Sequence, residues 1–153
     1  MNERNYARRT VFEIYCIVML ILLLFQRSPH ALVNNSYLAT MRANLNLVPG
    51  DTIRRYLRLW GTERYHAKAV ENLIGNIVPF IPFGFGLPWA HGEFGAYWKT
   101  LLFAAGIITI IEGTQLVTLL GHCDVDDLIL NLIGVTAGYT LFAFVRFVRK
   151  HKN

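Results

Sequence analysis

The sequence predicts an all-α membrane protein: a four-transmembrane-helix bundle with a short interfacial amphipathic helix in the first extracytoplasmic loop. Three observations lead there. Apolar residues make up 54% of the 153 residues, and the mean hydropathy is +0.35. Four apolar runs of near-span length are separated by polar connections. Basic clusters close the outer two: Arg4, Arg8 and Arg9 precede the first run, and Arg146, Arg149, Lys150 and Lys152 follow the last. Charge at span ends reads as topology and attraction to anionic lipid, so the formal net charge of +5 does not point to nucleic acid. A single domain over 1–153 is expected. Cys16 and Cys123 lie in different segments without metal-ligand spacing and read as free thiols.

The first span, 10–26, is built on Val11–Phe25. Its basic start resembles a signal peptide, but Glu13 interrupts the run and no small-residue cleavage site follows, so a retained anchor is expected. The second span, 72–90, contains Leu73–Ala90, a run without a single charge. Pro79, Pro82 and Pro88 remove three backbone donors there, which predicts a kinked or partly unwound helix. The third, 99–120, contains Thr100–Leu120, a run broken by one acid, Glu112. The fourth, 127–146, contains Leu128–Val145, with Asn131 its only strongly polar member. The last three runs cover roughly 27–32 Å, enough to cross a bilayer core, whereas Val11–Phe25 is slightly short and needs flanking Thr10 and Gln26.

Four spans place both termini on one side, and the basic ends put that side in the cytoplasm. The bias is narrow. The termini and Lys99 hold eight Lys/Arg, against seven in the Gln26–Val70 loop, although a long loop crosses largely regardless of charge. Within that loop, Pro49 and Asp51 precede an apolar stripe of Ile53, Tyr56, Leu57 and Trp60, with Arg54, Arg55 and Arg58 mostly on the other face. This predicts a helix over 51–60, lying in the headgroup layer or packed on the bundle. Trp89, Tyr97 and Trp98 read as an interfacial aromatic belt. Asn34-Asn35-Ser36 matches a glycosylation acceptor, relevant only in a eukaryotic secretory setting.

The polar exceptions inside these spans fall at matching depths. Asn72 and Asn76 share a face at the entry of the second span, and Glu112 and Gln115 share one late in the third. Asp124, Asp126 and Asp127 open the fourth, with Asn131 one turn below Asp127. Because the spans alternate in direction, all three patches occupy one leaflet, the outer one if the termini are cytoplasmic. Intramembrane acids are costly and mark working sites, whereas the carboxamides serve equally well as inter-helix fasteners. Asp124 and Asp126 read either as part of the site, as solvated turn residues, or, for Asp124, as a helix cap. The oxygen-rich set suits a hard divalent cation, to which His122 could add; otherwise no cofactor is expected. Gly134 and Gly138 form a G-x-x-x-G step that admits a neighbouring backbone, either within the bundle or, as the alternative, in a homodimer.

These residues carry a family resemblance. Asn72, Asn76, Phe80, Pro82 and Gly84, then Glu112 and Gln115, then Asp124, Asp126, Asp127, Asn131, Gly134 and Gly138 closely resemble the three ordered motifs of the VanZ-like family of bacterial membrane proteins. The stretch LLGHC before the aspartates departs from the family's pattern. The resemblance implies a small helical bundle in the cell envelope, and an association with low-level resistance to the glycopeptide teicoplanin. The expected function is therefore a non-enzymatic, multi-pass cell-membrane protein whose outer-leaflet polar pocket binds a lipid-linked cell-wall precursor, a lipophilic glycopeptide or another amphiphile. The alternative is a membrane enzyme acting on an envelope lipid or sugar headgroup, with Glu112 and Asp127 as acid/base pair or metal ligands. An ion-coupled carrier ranks last, since four short spans leave little room for alternating access.

Overall fold

The computed structural model describes residues 3–25, 32–33 and 36–152; Gln26, Asn34 and Asn35 lie outside them. Seven α-helices follow in order: α1 (Glu3–Phe25), α2 (Tyr37–Ala43), α3 (Asp51–Leu59), α4 (Glu63–Ile77), α5 (Phe80–Ala90), α6 (Tyr97–Val117) and α7 (Val125–Lys152). Two very short strands, β1 (Leu45–Asn46) and β2 (Cys123–Asp124), pair in parallel, with Leu45 opposite Cys123 and Asn46 opposite Asp124. The all-helical expectation thus omits one short parallel bridge, and α2 is a further element that the sequence reading did not contain.

Among the described residues, three helical segments are long and apolar enough to cross a membrane: Asn72–Ala90, Tyr97–Val117 and Val125–Lys152. Their outward faces are apolar, with Leu102, Ile110, Phe144 and Phe147 exposed. At 23 residues α1 is of span length as well, but Arg8, Arg9 and Glu13 interrupt its first half.

The Asn72–Ala90 segment is broken where its prolines require it. Regular helix stops at Ile77 and resumes at Phe80. Pro79 and Pro82 have no N–H to give, and Ile81 N tightens onto Val78 O at 3.2 Å instead of reaching back four residues. The Pro79 carbonyl takes a hydrogen bond from the Tyr15 hydroxyl on α1, so the kink is also the point where α1 is fastened. On either side of Tyr15, α1 buries Phe12 and Met19 in the core, and the Phe12 ring lies where a side chain on Gly86 would have to go, 2.6 Å from its ideal Cβ.

The closest seam is between α5 and α7, which run in the same direction. A Cβ on Gly134 would sit 2.2 Å from Ile77 O, one on Gly138 2.0 Å from Ile81 O, and one on Gly84 2.1 Å from Val135 O. All three glycines therefore let backbone meet backbone inside one chain. In this chain the Gly134/Gly138 face is packed against the end of α4 at Ile77 and the start of α5 at Ile81. The core around it is Phe80, Phe83, Leu87, Ala104, Ile108 and Val135.

Candidate functional site

The end of the bundle away from the chain termini brings most of the predicted polar residues together, but in two groups with different work. The first group surrounds a small cavity between α4–α5, α6 and α7. Asn76, Glu112, Gln115, Asp127 and Asn131 line it, with Leu23, Phe80, Ile108 and Ile111 as apolar wall. All five polar side chains are buried, each at most 7% exposed. Asn76 Nδ2 donates to Asp127 Oδ1 at 2.5 Å, a buried bond joining α4 to α7. Gln115 Nε2 donates to Leu23 O at 2.9 Å, satisfying a carbonyl in the last turn of α1. Asn131 Oδ1 is buried without a hydrogen-bond partner among the described residues. Such a group is costly unless something else satisfies it.

The cavity measures about 20 Å³. That admits one water molecule and excludes a sugar or phosphate headgroup. Two carboxyl-bearing side chains, Glu112 and Asp127, thus share a water-sized space with three carboxamides facing it. Asn72 lies one turn before Asn76, half-buried and outside this lining; its Oδ1 is a further buried acceptor without a partner among the described residues.

The second group is a clasp. Asp124 and Asp126 belong to it, and their burial corrects the reading of them as solvated turn residues. Asp124 is the N-cap of α7: its Oδ1 accepts from Asp126 N at 2.9 Å. Its Oδ2 accepts from Thr52 Oγ1 at 2.5 Å and from Asn46 Nδ2 at 3.2 Å. Asp126, 0% exposed, accepts from Gly50 N at 2.5 Å and from Ile53 N at 3.0 Å. It therefore caps the first turn of α3 from outside, supplying acceptors where that helix has none of its own, with its negative charge at the positive end of the dipole. Gly50 must adopt φ +81° to aim its N–H this way, a conformation that favours glycine. Asn46, Gly50 and Thr52 were not singled out from the sequence. The helix-start signal of Pro49 and Asp51 was visible, but nothing in it names a partner so distant in the chain as Asp126.

Among the described residues no three His, Cys, Asp or Glu side chains are arranged to hold a metal ion. The Asp124 and Asp126 oxygens are committed to α3 and α7, and His122 is exposed on the turn. The divalent-cation expectation accordingly finds no ready ligand set in the acidic turn.

Cys123 lies beside the cavity, its Sγ 3.9 Å from Glu112 Oε2. Burial pushes its thiol up, and the neighbouring Glu112 pushes it further by disfavouring the thiolate. In a Cys16→Ser background, Cys123 is therefore expected to alkylate more slowly at pH 8 than a free cysteine, with the rate still climbing above pH 9. Glu112→Gln should shift that profile to lower pH. A maleimide rate–pH profile checks both; a profile like that of free cysteine, unmoved by Glu112→Gln, contradicts the geometry.

Comparison with known proteins is decisive at the family level. The VanZ/LLP1 family model matches residues 12–146. The chain belongs to the VanZ/LLP1 family. The match runs from α1 through nearly all of α7, so this VanZ-type chain carries its polar cavity, its α3 clasp and its glycine seam within the family's own extent. Neither a curated protein nor a solved structure matches it.

Proposed function

We propose that this VanZ-type protein is a non-catalytic, multi-pass protein of the bacterial cell envelope whose buried polar cavity recognises the polar part of an amphiphilic ligand. Lipid-linked cell-wall precursor or a lipophilic glycopeptide is the ligand class, and lowered access of teicoplanin-like compounds is the consequence. One observation carries the reading: Asn76, Glu112, Asp127 and Asn131 reach one cavity from three spans, and the Asn131 acceptor there has no protein partner among the described residues. Polar groups at that depth are expensive, and a ligand N–H or O–H in place of a water would satisfy them. A larger headgroup needs the cavity to widen. The link to be released is Gln115 to the Leu23 carbonyl, a single hydrogen bond at the end of α1.

In this reading α1 is the first of four spans. Its outer face presents Val11, Ile14, Ile17, Val18 and Ile21, and its 23 residues reach about 34 Å. Both termini are then cytoplasmic and the cavity lies toward the outer face. There α3, with Leu57 and Trp60 exposed beside Arg54, Arg55 and Arg58, rests in the headgroup layer. Deletion and complementation test the function: wild-type protein should restore the glycopeptide susceptibility and envelope lipid profile of the parent strain to a deletion host, and Glu112→Gln should not. Equal restoration by Glu112→Gln contradicts the proposal.

The water-sized cavity favours one second reading. Two acids flanking one water is an arrangement for general acid/base attack on a lipid headgroup or sugar bond. Turnover of envelope lipids by purified protein, abolished in Asp127→Asn, would select it over binding.

A further inference from the structure

The end of the bundle opposite the polar cavity holds a second, larger concavity. Arg8 and Arg9 on α1 and Arg146 and Arg149 on α7 line a cleft of about 360 Å³ beside Trp89 and Phe85 on α5. Among the described residues no Asp or Glu belongs to its lining. The acid on the adjoining turn, Glu93, lies beside His91 at 3.6 Å and is lowered chiefly by a backbone hydrogen bond, with Arg9 contributing. One exposed carboxylate therefore stands against the arginines, and the cleft keeps a net positive field.

We infer that this cleft binds the phosphate of an anionic lipid headgroup, with the glycerol and the first methylenes resting on its aromatic floor. Three features single out this ligand class. Guanidinium groups from two separate helices can take phosphate oxygens in pairs, which lysine cannot do. Arg8 is held for it, its guanidinium carbon 5.3 Å from the centroid of the Trp89 ring. The floor is apolar: Phe85 stands edge-on to Phe142 at 6.1 Å and lies 6.5 Å from Trp89. A free inorganic phosphate has no use for such a floor, whereas a lipid uses both parts. The volume also lies in the range of small-molecule sites rather than that of a bare ion.

The sequence alone assigned these arginines to general attraction along the membrane surface. Their convergence from α1 and α7 on one cleft makes the contact specific, and it would hold the ends of these two helices together across α5. This inference rests on the cleft alone and stands whatever the cavity at the other end binds.

Trp89 is the reporter. With Trp60 and Trp98 replaced by phenylalanine, it is the only tryptophan left. This protein is reconstituted in phosphatidylcholine vesicles containing brominated phosphatidylglycerol, or brominated phosphatidylcholine, at rising mole fraction. Quenching by the anionic lipid should half-saturate at a mole fraction at least about fivefold lower than quenching by the zwitterionic one. Arg146→Gln and Arg149→Gln should each raise that mole fraction by about fivefold, while the Arg146→Lys/Arg149→Lys pair, which preserves charge and folding, should retain a preference weakened by its lost bidentate geometry. Inorganic phosphate in millimolar excess should not reverse the quenching. Equal quenching by the two lipids, or a preference unchanged in the glutamine variants, overturns the site. Full reversal by phosphate overturns the lipid and leaves a free-anion site.

Discussion

Gly138→Ala is expected to destabilise the bundle by about 3 kcal/mol, the upper end of ordinary overpacking costs. The new Cβ would lie 2.0 Å from Ile81 O and 2.8 Å from Phe85 N. Both are backbone atoms, which cannot swing aside as the tip of a side chain can. The helices α5 and α7 must therefore separate by more than an ångström along their closest seam, and Phe80, Phe83 and Val135 would lose contact together. Gly134→Ala, against Ile77 O at 2.2 Å, should behave alike. The control is internal to the protein. A Cβ on Gly106 or Gly113 in α6 meets nothing within 4 Å, so alanine there should be neutral or gain up to about 1 kcal/mol from helix propensity. Thermal unfolding in detergent, followed by circular dichroism, separates the two pairs. Equal melting of Gly138→Ala and wild type would mean that the α5–α7 seam is not close-packed.

Asp126→Ala should release α3 from the bundle, at a cost of about 3 kcal/mol for two hydrogen bonds to a charged acceptor. Gly50 and Ile53 would each lose the acceptor of a backbone N–H, and the α3 dipole would lose its counter-charge. Asp126→Asn should fall between, since an amide offers one good acceptor and turns its NH2 toward the second donor. The effect is local, so the informative measurement is trypsin cleavage at Arg54, Arg55 and Arg58. These sites should be cut slowly in wild type, fastest in the alanine variant, and at an intermediate rate in the asparagine variant. Unchanged cleavage in Asp126→Ala would show that the clasp does not hold α3.

The three long apolar helical segments and the kink in the first of them were legible in the sequence because both leave local marks. An apolar run needs no partner to be seen, and Pro79 and Pro82 lack their N–H in any context. The facing of Asn76, Glu112, Asp127 and Asn131 was accessible too, since helical spacing and alternating direction set their depth. What could not be read is what depends on long-range pairing. Asp126 meets Gly50 across 76 positions of sequence, with no period to announce it, so its bonds to α3 could not be foreseen. The parallel bridge between β1 and β2 is too short for any alternation to show. The G-x-x-x-G step was plain, yet only coordinates show that its partner is α5. The size of the cavity depends on how far α1 closes over it, through Tyr15 on the Pro79 carbonyl and Leu23 on Gln115, and neither contact has a local signature.

We propose that the side chains around the cavity act on a ligand rather than merely fasten helices. Direct binding tests it: wild type, Glu112→Gln and Asn131→Ala in nanodiscs, titrated with lipid-linked cell-wall precursor and with teicoplanin, alongside their melting temperatures. Loss of a hydrogen bond to a charged or buried group should weaken binding about tenfold in each variant, with melting shifted by no more than a few degrees. Variants that bind as wild type does would reduce the cluster to inter-helix fasteners and contradict the claim.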